Sequence, residues 1–397
     1  MGQINPINLM FRNCLAFSLF AALLIAFQAC SPAVAPEVYQ AAPPSTSVFR
    51  DTLPFEFREG FIVVRARLND KSMPLDFIWD SGAAVSTISQ ATREYLGLPN
   101  SIQAGAVTTL DSFHLSDITF PSVPVEIVNY DGYAAPKCIA EAGVIGANII
   151  RHCNWYIDFD QQLLIFSDLA QILPAPSAVH TLPFKPTPYG QPELRIATAA
   201  MGKAKAIASI GQSGPVRISS KQLPDAGTMI YDRAVVDRFA SDIDTAVVFE
   251  NTGIQMGGLN FQGTLKVQSG RQNQIGNALW AQYNLALNFK EANIQLSPRA
   301  EAPTPDFSLP KLGWMPHFTP KSDLTVGFIV VGSPAWEAGL RMGDVINQID
   351  RRASPGWYND YCAYLSSVQA QFGAPEQMQV FKNGSKQPIL LSVKAQP

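Results

Sequence analysis

Apolar and polar positions alternate with a period of two through most of the chain. Phe61-Ile62-Val63-Val64-Arg65-Ala66 and Leu194-Arg195-Ile196-Ala197 both read as strands, with turns following at Asn69-Asp70 and Met201-Gly202. Val326-Gly327-Phe328-Ile329-Val330-Val331 reads as another strand, and Asn383-Gly384 as the turn of a last hairpin. Runs with helical period are few and short, so the pattern predicts a mostly β protein with little helix. Pro-rich breaks at 172–183 and 302–310 cut this pattern into three pieces, 49–171, 184–299 and 308–397. The first two repeat each other. Ile145-Gly146 and Ile275-Gly276, Asn154 and Asn284, and Phe159 and Phe289 stand at a common offset of 130.

One stretch departs from the alternation. Residues 14–29 are almost wholly apolar, the length of a signal-peptide core and short for a spanning helix. Arg12 is the only basic side chain ahead of it. The run ends in Phe27-Gln28-Ala29-Cys30-Ser31, which resembles a bacterial lipobox. That resemblance implies diacylation of Cys30, a signal segment over 1–30 and a lipid as the only membrane attachment. An ordinary secretory cut nearby is the alternative. Residues 31–48, rich in Pro, Ala and Ser, then form a tether. Either way the expected location is outside the cytoplasm, in a bacterial cell envelope, with an outer-membrane lipoprotein facing the periplasm as the leading expectation.

Composition narrows the chemistry. The chain has 397 residues, 47% of them hydrophobic, enough for a sizeable core. Charged residues are 15%, and the formal net charge is −3, with no basic face for nucleic acid. GxGxxG, GxxxxGK[ST], GxSxG, HExxH and CxxC are all absent from the sequence, so nucleotide enzymes, common serine hydrolases and metal sites of those types lose their footing. No metal or cofactor is expected. Of the five cysteines, Cys14 and Cys30 lie in the leader region. Cys138 and Cys153 are either a disulfide or two buried thiols.

The chemistry concentrates at Asp80. An apolar strand, Leu75-Asp76-Phe77-Ile78-Trp79, runs into Asp80-Ser81-Gly82-Ala83, and Val144-Ile145-Gly146 follows 66 residues after Asp80. These motifs resemble the pepsin/retropepsin superfamily of aspartic peptidases, over about residues 55–298, as two tandem retropepsin-like lobes. The resemblance implies that Asp80 is a catalytic carboxylate, that Ser81 braces the two active loops, and that Gly82 admits the backbone close to the carboxylate. It implies a flap near Ser101 to Phe113, with Gly105 at its tip. It also implies a polypeptide substrate. The reaction needs two carboxylates sharing one proton, one acting as base on water and the other as acid.

The second lobe departs from that pattern. Aligning the strands sets Ile210-Gly211-Gln212-Ser213-Gly214 opposite Ile78-Trp79-Asp80-Ser81-Gly82, at an offset of 132, which keeps the Ser and Gly and puts Gln212 at the place of the Asp. A glutamine has no proton to exchange near neutral pH. Asp225-Ala226-Gly227-Thr228 reads as a loop turn. Three outcomes follow: a homodimer pairing Asp80 of two chains, a peptide-binding pseudoprotease, or another acidic residue entering the site.

Ser333-Pro334-Ala335-Trp336-Glu337-Ala338-Gly339-Leu340-Arg341-Met342-Gly343-Asp344 closely resembles the bacterial PDZ signature, over about 308–397. PDZ domains bind extended peptides by strand addition. The resemblance places the carboxylate loop at Leu312-Gly313-Trp314-Met315. His114, His152, His180 and His317 have no partner at ligand spacing, and Trp79, Trp155 and Trp280 read as core. Two functional readings remain: an aspartic endopeptidase of the cell envelope, or a silent peptide-binding module of the same build.

Overall fold

A computed structural model of the chain describes residues 35–130, 138–174, 180–232, 244–269, 272–301, 309–318, 324–350, 352–353 and 376–393. Pro36–Tyr39 form one turn of 3-10 helix. The leader, Cys30 and Cys362 lie outside the described residues. No helix among those described is long and apolar enough to cross a membrane.

The first lobe contains β1 (Arg50–Arg58), β2 (Phe61–Leu68), β3 (Leu75–Trp79), β4 (Ser86–Ser89), β5 (Val107–Leu115), β6 (Ile118–Val128), β7 (Gly143–Ile145), β8 (Asn154–Asp158) and β9 (Leu163–Ser167). Strands β2-β3-β7-β4-β6-β5 form a ring, and β5 closes it onto β2. The second lobe contains β10 (His180–Pro183), β11 (Lys185–Pro186), β12 (Pro192–Thr198), β13 (Gly202–Ala208), β14 (Val216–Ser219), β15 (Thr228–Asp232), β16 (Asp244–Met256), β17 (Leu259–Gln268), β18 (Gln274–Ile275), β19 (Tyr283–Asn288) and β20 (Asn293–Pro298). Its ring is β12-β13-β18-β14-β17-β16, closed by β16 on β12. The fold is thus mostly β, with two closed six-stranded barrels in tandem.

Alternation explains the barrels. In β2 the inward positions Ile62, Val64, Ala66 and Leu68 are buried while Arg65 and Arg67 face out. Antiparallel pairing of β8 with β19 joins the lobes, setting Trp155 against Leu287 and Ile157 against Leu285. The aromatic centre lies beneath this join. Trp79 meets Trp155 edge-on at 5.1 Å, and Trp155 stacks on Phe166 at 4.8 Å. Trp280 is buried as well.

The C-terminal part begins with β21 (Trp314–Phe318) and β22 (Leu324–Val330). A Ser333-capped helical turn, Pro334–Glu337, follows, and then Gly339. Strands β23 (Ile346–Ile349), β24 (Arg352–Ala353), β25 (Gln377–Lys382) and β26 (Ile389–Ser392) form a small sheet of their own, with Asn383-Gly384 between the last two. Strand β22 also pairs with β15 of the second lobe, Tyr231 opposite Ile329. A ten-stranded sheet therefore runs from the second barrel into the C-terminal part, with Ile230, Ala246, Val248, Phe328 and Val330 buried along the seam.

Two expectations are corrected here. Cys153 is a buried free thiol, and Cys138 is disulfide-bonded, so these two do not pair with each other. Nor does a hairpin project over 101–113. Gly105 N–H donates to Ile127 O at 2.8 Å, and residues from Val107 onward belong to the barrel strand β5. The hairpin that follows the Asp80 loop turns instead at Ser116-Asp117, where Leu115 pairs with Ile118.

Candidate active site

The first active loop is held by its own ladder and by the opposite lobe. Asp80 N–H donates to Ile145 O at 3.0 Å, at the end of the parallel pair β3–β7. Ser81 is fully buried. Its hydroxyl donates to Ala208 O at 2.7 Å and accepts from Ile210 N–H at 3.0 Å, while Ser81 N–H donates to Ile210 O at 3.1 Å. A single side chain therefore ties the two loops together.

These bonds set the register of the second lobe. Ile207 and Ala208 pair with Gln274 and Ile275 as Ile78 and Trp79 pair with Val144 and Ile145. Ser209 N–H donates to Ile275 O at 3.0 Å, repeating the bond from Asp80 to Ile145. Gln212 N–H returns to Ser209 O as Ala83 N–H returns to Asp80 O. The residue opposite Asp80 is therefore Ser209, at an offset of 129, and not Gln212. Ile210 and Gly211 occupy the places of Ser81 and Gly82. Gln212 matches Ala83, and Ser213 instead lies against the Gly60 turn. Gly214 matches Val85, its carbonyl approached by Gly276 as Val85 is by Gly146. The shared Ser-Gly doublet misleads by three residues. Extending the Ile-Gly offset of 130 back toward Asp80 lands within one residue of Ser209.

The loops cross closely. A Cβ on Gly211, at φ +107°, would stand 1.7 Å from Trp79 O, and one on Gly82 would stand 2.1 Å from Ser209 Oγ. Ile62 N–H donates to Gly211 O. The matching position in the second lobe is Pro192, which has no N–H, and there the buried Gln191 side chain donates to Gly82 O instead.

Asp80 is 7% exposed. Its Oδ1 accepts from Gly82 N–H at 2.8 Å and from Ser209 Oγ at 2.8 Å. Burial raises its pKa to about 6, against the lowering effects of these two donors and of Arg217. Ser209 Oγ also lies 2.9 Å from Gln212 Oε1, and Arg217 Nη2 lies 3.5 Å from that same oxygen. One hydroxyl hydrogen cannot serve two acceptors at once. With Asp80 ionised it goes to the carboxylate. With Asp80 neutral, the carboxyl can donate to Ser209 and Ser209 to Gln212.

The site so built holds one titrating carboxylate facing a hydroxyl. It can bind a carbonyl or a water and exchange one proton near pH 6. A second carboxyl, to work as acid while Asp80 works as base, does not face Asp80 among the described residues. Asp225 is exposed in a bend before β15. His114 bonds Ser112 and Thr119 on the outer face of the β5–β6 hairpin, and His152 bonds Ala41 O. No group of three or more His, Cys, Asp and Glu residues among those described could hold a metal.

At the C-terminal end, Leu312 and Trp314 are core residues. Gly313, at φ +76°, receives Val330 N–H on its carbonyl at 2.7 Å, and Met315 is half-buried in β21. Among the described residues, strand β21 has a pairing partner on one side only.

Ser81→Ala is expected to cost about 3 kcal/mol, since it strands a buried N–H and a buried C=O of the other lobe. Urea unfolding would measure it, and a loss below 1 kcal/mol would contradict the bracing role.

No family model matches the chain, and no curated protein matches it in sequence. Among solved structures it is similar to a retropepsin-like aspartic protease from Rickettsia conorii, at 19% identity and a TM-score of 0.24, over 31% of this chain and 92% of that one. The topology is two closed barrels whose paired loops enclose Asp80.

Proposed function

We propose that the protein is a peptide-binding module built on the aspartic-peptidase fold, holding an extended polypeptide in its cleft without cutting it. The observation that carries this reading is Ser209 in the place of the second carboxylate. Hydrolysis through a carboxylate pair requires an acid to protonate the leaving amine while a base takes the water proton. A serine hydroxyl donating to Asp80 orients that carboxylate but does not cycle protons at neutral pH. The homodimer route finds no support, because the Asp80 loop is already paired with Ser209-Ile210-Gly211 of its own chain.

The leader and the Ala29-Cys30-Ser31 sequence support export and lipid attachment at Cys30, which would keep the cleft in the cell envelope. The Ser333–Asp344 signature supports a PDZ-type second peptide site at β21, with Leu312-Gly313-Trp314-Met315 at its entry.

The competing reading, an active aspartic endopeptidase, is separable by experiment. The purified protein and Asp80→Asn would be incubated with a mixed peptide library from pH 4 to 8, with binding and cleavage followed together. Binding without cleavage by both proteins is expected. Cleavage by the wild type that disappears in Asp80→Asn would overturn the binding reading.

A further inference from the structure

The strands that lead into the two active loops carry different outer faces. In the first lobe Val63 pairs with Ile78, and Ile78 with Val144. Ile139 and Ala140 cover this row, and together with Phe61 these residues form one apolar cluster. The matching row in the second lobe is Glu193, Ile207 and Gln274, across β12, β13 and β18. Ala206 and Ala208 belong to the barrel core, so Lys205 and Ile207 face outward. Ile207 stands two residues before Ser209, as Ile78 stands two before Asp80.

On this second-lobe face lies a cavity of about 320 Å³, whose lining includes Glu193, Lys205, Ile207, Ser219, Gln272 and Asn273. That is the small end of the range for ligand sites, about 300–1,000 Å³, and suits a side chain rather than a large cofactor. Asn273 frames it. Its Nδ2 donates to Lys205 O at 2.8 Å, and its Oδ1 accepts from Ser219 N–H at 2.6 Å. Lys205 Nζ donates to Glu193 Oε1 at 2.8 Å, so the two charges that line the cavity cancel. Ser219 Oγ and the Gln272 amide hold no partner among the described residues. Ile207, almost wholly buried, supplies an apolar floor.

A single charge entering this cavity meets a like charge, a cation at Lys205 or an anion at Glu193. A primary carboxamide escapes that penalty, because it donates and accepts at once. Its NH₂ can donate to the Glu193 carboxylate while its oxygen accepts from Lys205, Ser219 or Gln272. An apolar side chain would cover the same groups and leave them unbonded. We propose that this cavity is a carboxamide-selective subsite, taking an Asn or Gln side chain of a bound polypeptide. The inference rests on the peptide-binding reading and names the side chain that the second lobe selects. The first lobe supports a polypeptide as the occupant, since there Ile139 and Ala140 are chain laid on the equivalent face.

The test is fluorescence anisotropy with labelled octapeptides that carry Gln, Glu, Lys or Leu in turn at each internal position. Salt at about 0.15 M screens the exposed Arg195, which lies opposite Lys205 in the ladder. The expected result is a preference of about tenfold for Gln over the other three at one position, the worth of two modest hydrogen bonds. In the double variant Glu193→Leu/Lys205→Met the preference should fall below about twofold while the affinity for the Leu peptide holds. Ser219→Ala, a smaller change, should remove part of it. A preference for Glu or Lys, or none at any position, would overturn the subsite and leave the peptide-binding reading intact. A Gln preference unchanged in both variants would also overturn it, by placing the selection elsewhere. Binding of no peptide at all would overturn both.

Discussion

Ser209→Asp is expected to cleave peptides that, on the proposed reading, the wild type only binds. The substitution sets a second carboxylate opposite Asp80, at the loop position that Ser81 and Ile210 hold in register. Two carboxylates at this separation cannot both ionise, so they share a proton and titrate as a pair. One acid and one base are then available in a site whose backbone is already built for them. General acid–base assistance contributes about 10²–10⁴-fold, so cleavage by the variant should rise clearly above that of the wild type. The activity should follow a bell-shaped pH profile and vanish in the double variant Ser209→Asp/Asp80→Asn. Library digestion read by mass spectrometry measures it. A folded Ser209→Asp protein that still cleaves nothing would show that a second carboxylate opposite Asp80 is not enough for cleavage.

The second large effect is on stability. Asp80 has a pKa of about 6 in the folded chain, above its ordinary value of 3.8, chiefly because burial disfavours its charge. A raised carboxyl pKa means that the folded state holds the proton more tightly than the unfolded state does. Its contribution is fully present below the unfolded pKa of 3.8 and is lost as pH rises through about 6. Above that, the ionised side chain costs on the order of 3 kcal/mol. Asp80→Asn removes the charge, while its amide oxygen can still accept from Gly82 N–H and Ser209 Oγ. The variant should therefore be more stable than the wild type at pH 7.5 by on the order of 2–3 kcal/mol, with the gap closing below pH 4. Urea denaturation across that range decides it. A gap of constant size at every pH would mean that the carboxylate is not desolvated as the fold implies.

The same two residues show how far the chain could be read without its fold. Asp80-Ser81-Gly82 after an apolar strand marks its own place, because strand, turn and small residue are neighbours in sequence. The partner of Asp80 has no such local mark. Ser209-Ile210-Gly211-Gln212 keeps only one glycine of the motif, and the nearby Ser213-Gly214 imitates it three residues later. Only the ladder bonds of Ala208 and Ile275 separate the two registers. Gln191 was equally hidden, since its role arises from the N–H that Pro192, a residue of its own lobe, lacks. Arg217 and Lys266 lie 49 residues apart and meet only because β14 and β17 run parallel in one barrel.

By itself, the sequence determined the mostly β character, the tandem repeat, the first active loop and the order of elements in the C-terminal part. These depend on side-chain period, on turn residues and on short motifs, all of them local. Tertiary structure alone decided which residue faces Asp80, the closure of each barrel, and the running of the second barrel's sheet into the C-terminal part through β15 and β22. Each of these depends on pairing between strands far apart in the chain. There a shift of one residue exchanges the faces of a strand, and no local pattern records which register the hydrogen bonds have taken.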